Sequence, residues 1–176
     1  MIRRLIILLL IVGCDNSTES EDACGVKGGD GYDQYGYSCN DLNVLQEIID
    51  LNISLQGTMP LELGYFDTEF TDHYDQVWVG GRIIELMLRF QDITNIPESV
   101  GNLDGLESIY LGWNQLTSIP ESIGNLSYLE KIRLTDNKLT TLPSTLCNNS
   151  SNSWYWVFVD NNCLPEEYKF DCIDWN

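Results

Sequence analysis

The sequence predicts an α/β solenoid, a short stack of similar coils closed by a different segment at each end. Three observations predict it. A motif returns at a fixed interval: LMLRFQDITNIP at residues 86–97, IYLGWNQLTSIP at 109–120 and IRLTDNKLTTLP at 132–143, each 23 residues after the last. Within each copy the apolar residues lie two apart and then three apart, as a short strand followed by a turn requires. A degenerate fourth copy, VFVDNNCLP at 157–165, is displaced by 25 residues, and the sequences on both sides abandon the pattern. A unit this short cannot bury its apolar side alone, so a period in this range implies stacked coils sharing one core.

The apolar positions, with Asn114, Asn137 and Asn162 three places after the second strand residue, resemble the leucine-rich repeat. The return stretch, Pro-x-x-(Ile/Val)-Gly-Asn-Leu, resembles its 23-residue class over about residues 83–165. The resemblance implies a right-handed solenoid with a concave parallel β-sheet and, as work, binding rather than catalysis.

Residues 1–13 read as a secretory signal. Arg3 and Arg4 precede an apolar run, Leu5 to Val12, that is short for a bilayer span. Ile11-Val12-Gly13-Cys14 resembles a bacterial lipoprotein box, which implies cleavage before Cys14, diacylglycerol on its thiol and an acyl chain on its new amino group. Two or more chains anchor a protein stably where one does not. An ordinary signal peptide or an uncleaved anchor is the alternative. Residues 14–38 follow as an acidic tether, DNSTESED at 15–22, and a Gly/Tyr-rich loop. The acidic stretch resembles the surface-export signals of some bacterial lipoproteins.

Cys14 aside, five cysteines remain, and in an exported protein the even part of that set is expected to be oxidised. Cys24 and Cys39 bracket the Gly/Tyr-rich loop, which a disulfide orders most simply, stabilising it by roughly 3 kcal/mol. Cys147 and Cys172 each lie eight residues after Leu139 and Leu164, equivalent positions on successive coils. On a continued solenoid they stack about 5 Å apart, a distance a disulfide can bridge. Cys163 is then odd, either unpaired or the partner of Cys172 in a rival pairing.

Residues 39–82 are expected to close the first coil. Asp41 to Asn52 reads as an amphipathic helix capped by Asp41, with Leu42, Leu45, Ile48 and Ile49 as its apolar stripe. Residues 54–76 read as irregular, and 77–84 lead into the repeats. This order of helix, loop, Trp78 and Gly81-Arg82 resembles the N-terminal cap of many leucine-rich repeat ectodomains, although the usual cap cysteines are displaced. Residues 83–146 carry the regular repeats. In the first copy Gln91 replaces the turn asparagine, leaving that rung's geometry open. The expected final segment, 147–176, is a degenerate repeat and C-terminal cap in which Trp154, Tyr155 and Trp156 join cystines in covering the core.

By register the outward strand residues include Met87, Arg89, Tyr110, Arg133 and Phe158, with Phe90 and Trp113 just past the strands. Tyr, Trp and Arg dominate interface energetics, so these seven are the candidate partner-binding residues. The alternative is that the rings stack rung on rung and only stabilise the sheet. Asn114, Asn137 and Asn162 are expected inside, as a structural ladder that satisfies the turning backbone.

No catalytic group, metal or cofactor is expected. His73 is the sole histidine, no C-x-x-C pair exists, and GGDG at 28–31 lacks the Gly-Lys-Ser/Thr of a phosphate loop. Asp30 and Asp33 lack the spacing of a calcium loop. The net charge of −18, or −20 once Arg3 and Arg4 are removed, argues against nucleic acid. The expectation is a monomeric, exported, lipid-anchored protein of the bacterial envelope, at the outer membrane or cell surface ahead of the inner membrane, that binds a protein or glycan. A structural spacer is the alternative, and a hydrolase centred on His73 a distant third.

Overall fold

The computed structural model of this chain describes residues 24–25, 31–63, 76–147 and 156–165, with the backbone of 173–174. Cys14, His73, Trp154, Tyr155 and Cys172 lie outside the described residues.

Helix α1 runs Cys39–Leu51, two residues earlier than the apolar pattern suggests. Its N-cap is Ser38, whose Oγ accepts from the amide of Asp41. Asp41 is therefore not the cap. It stands three residues into the helix and accepts from Ser38 Oγ at 3.1 Å, while the Ser38 amide donates to the Gly81 carbonyl, so only the first half of a capping box is formed. Val44, Leu45, Ile48 and Ile49 are buried and Leu42 only half-buried, so the stripe is rotated by part of a turn. A lone 13-residue helix is marginal in water, and this one is held by the core it covers.

Six strands form one sheet in chain order: β1 Gln76–Val79, β2 Arg82–Met87, β3 Ser108–Tyr110, β4 Lys131–Arg133, β5 Trp156–Phe158 and β6 Ile173–Asp174. Strands β2 to β6 are parallel, and β1 is antiparallel to β2. The β1–β2 hairpin turns at Gly80 and Gly81, with φ of 57° and 78°. Two successive positive φ values suit glycine and match the twist of a two-residue hairpin. Five parallel strands exceed the four coils that the motif count suggests, because β6 extends the sheet where no repeat is readable.

The register places equivalent repeat residues side by side: Leu86, Ile109, Ile132 and Val157 pair across β2 to β5. These four and the next inward layer, Leu88, Leu111, Leu134 and Val159, are all buried. Short 3-10 helices at Glu98–Asn102, Glu121–Asn125 and Ser144–Cys147 form the opposite wall. Val100, Ile123 and Leu146 point inward from them. A fully buried aliphatic side chain contributes about 1.5–3 kcal/mol. Stacking is close here, since a Cβ on Gly101 would come within 2.6 Å of the Ser122 carbonyl oxygen one coil on.

Candidate binding face

The parallel register sorts the outward side chains into columns that run across the strands. One holds Met87, Tyr110, Arg133 and Phe158, all half-buried. A second, just past the strands, holds Phe90, Trp113, Asp136 and Asn161. All four have left-handed backbone, with φ between 55° and 58°. That conformation is tolerated by Asp and Asn but unfavourable for bulky side chains.

Phe90 and Trp113 stack with centroids 4.8 Å apart and planes 14° from parallel. Both stay exposed, at 52% and 38%. The Arg89 guanidinium lies 4.6 Å from the Trp113 ring and 5.6 Å from Phe90. Farther along, Arg133 sits 4.7 Å from Phe158, Lys131 5.8 Å from Tyr110, and Trp156 stacks loosely with Phe158 at 6.4 Å. All seven candidate residues thus share one face. The Nε atoms of Arg89 and Arg133 are buried without a hydrogen-bond partner, so ring contact, not hydrogen bonding, holds these guanidinium groups.

Beneath the face runs a line of amides. Asn114 Nδ2 donates to the carbonyls of Leu88 and Leu111, and its Oδ1 accepts from the amides of Gln91 and Ile93. Asn137 repeats this one coil on, donating to Leu111 and Leu134 and accepting from Leu116. Asn162, half-buried, donates to Leu134 and Val159 and accepts from Leu139. Each side chain joins two coils. At the N-terminal end Asn52, after α1, accepts from the amides of Thr94 and Asn95 and donates to the Asn95 carbonyl. It lies outside the repeat register, so the period gave no sign of it. Gln91 enters this network through its backbone amide.

Two further links hold the first coil. Asp41, fully buried, accepts from Arg82 Nε and from the amide of Ile83. The hydrogen bond to Asp41 raises the Arg82 pKa above its ordinary value, against the opposing effect of burial. Cys24 and Cys39 form a disulfide, with Cα atoms 5.1 Å apart. The loop it closes packs on the hairpin, where Tyr37 meets Trp78 edge to face at 5.0 Å. Asp33 Oδ1 accepts from the amides of Tyr35 and Tyr37. At the other end Cys147 is disulfide-bonded, and Cys163 is free and exposed.

The wall opposite the sheet carries its own side-chain links. Glu98 accepts from the Ser122 amide, and Glu121 from the amides of Ser144 and Thr145. The hydrogen bond from Ser144, supported by Thr145, lowers the Glu121 pKa below the usual carboxylate range. A shallow groove lined by Asn95, Glu98, Ser118 and Glu121 lies beside these contacts.

The leucine rich repeat family model matches residues 82–139. Among solved structures, a leucine-rich repeat protein of Leptospira interrogans is similar at 31% identity with a TM-score of 0.44. That similarity covers 47% of this chain and 21% of the other, so the chain spans only a small part of that protein's length. No curated protein matches the sequence. The family match falls on the coils whose parallel register and asparagine line are described above: residues 82–139 are a leucine-rich repeat domain.

Proposed function

We propose that the concave sheet face binds a protein or glycan partner, and that the chain is a non-catalytic, exported protein held in the bacterial envelope by lipid on Cys14. The carrying observation is the exposed Phe90–Trp113 stack on left-handed backbone. Left-handed backbone costs about 1–2 kcal/mol for an ordinary residue. A ring pair returns about 0.5–1.5 kcal/mol. That return is in addition to the burial of each ring's covered half, so stability accounts for part of the pair; what it leaves is a large apolar surface still exposed where the next coils carry Asp136 and Asn161. Rigid exposed aromatics beside arginine are what a binding surface uses, and repeat solenoids present such extended faces.

The spacer reading also has an observation in its favour, since each cation of the face rests on a ring of the same face. Replacing Tyr110 and Arg133 by Ala separates the two readings. Binding predicts loss of partner capture with the fold intact; unchanged capture contradicts it.

Anchoring rests on the Ile11-Val12-Gly13-Cys14 sequence, and export is supported by the Cys24–Cys39 disulfide. We read the stack as right-handed, with Cys172 as the partner of Cys147. Metabolic labelling with a fatty acid should mark the wild type and not Cys14→Ser. Protease treatment of intact cells should digest the chain if it lies on the outer surface, as we propose, and spare it if it faces the periplasm.

A further inference from the structure

We draw no further inference here: the strongest candidate, the patch of exposed apolar side chains Leu51, Ile53, Met59 and Leu61 where α1 runs into two short 3-10 turns of the N-terminal cap, carries nothing because nothing in the structure shows what covers it.

Discussion

Arg82 Nε lies 3.1 and 3.0 Å from the two carboxylate oxygens of Asp41, a residue with no exposed surface. The same carboxylate accepts from the Ile83 amide and from Ser38 Oγ. One buried group thus ties the start of α1 to the start of the first coil. Asp41→Ala leaves Arg82 half-buried and without its main partner, a change that costs about 3–5 kcal/mol in comparable buried pairs. Urea denaturation should show the loss, and Asp41→Ala combined with Arg82→Met should recover part of it. A loss under about 1 kcal/mol would mean the link is dispensable.

Asn137 gives a sharper chemical test because a nearly isosteric change reverses its bonding. Its Nδ2 donates to the carbonyls of Leu111, Leu134 and Thr135. Asn137→Asp turns that donor into an acceptor facing carbonyl oxygens. The expected loss is about 2 kcal/mol or more at neutral pH. It should shrink as pH falls and the new acid becomes a neutral donor. A penalty independent of pH would mean that the side chain has swung out of the ladder.

Glu121 should make stability depend on acid. Its folded pKa is lowered, first by the Ser144 amide, so its contribution is complete above the ordinary glutamate value and fades as pH falls through the lowered folded one. The difference in denaturation midpoint between wild type and Glu121→Gln should be present at neutral pH and vanish in acid. Because the carboxylate is fully exposed, the effect should be small. A difference that grows on acidification would contradict this linkage.

Trp113→Gly separates stability from recognition. Glycine relieves the φ of 55° but removes the ring from the Phe90 stack. The lost burial of the ring should outweigh the relieved backbone, lowering stability by about 1–3 kcal/mol with the fold intact. Partner capture, measured where the variant is folded, should fall roughly tenfold. Loss of stability with capture intact would favour the spacer reading.

The stack of coils was legible because a strict period carries its own register. Once Leu86, Ile109 and Ile132 are equivalent, their outward neighbours follow from the alternation of a strand. Asp41 misled because an acidic residue before an apolar run is also the pattern of an N-cap, although Ser38 three residues earlier carried the capping-box signal. Asn52 was hidden for a different reason. It ties the stretch after the first strand, at Thr94 and Asn95, to the end of α1 from a distant part of the chain, and only the folded path brings it there. Nor does strand alternation extend to Phe90 and Trp113, whose stacking depends on left-handed backbone beyond the strand ends. β6 had no repeat to announce it, because Glu167 and the longer fourth return break the apolar spacing on which the reading depended.

The central claim is that the concave face is covered in its native setting. Hydroxyl-radical footprinting tests it without knowledge of the ligand, comparing the chain on intact cells with the chain purified in detergent. Phe90 and Trp113 should be labelled in the purified protein and protected on cells. Tyr128, 65% exposed and outside the face, should be labelled alike in both. Equal labelling of Phe90, Trp113 and Tyr128 in the two settings would contradict the account.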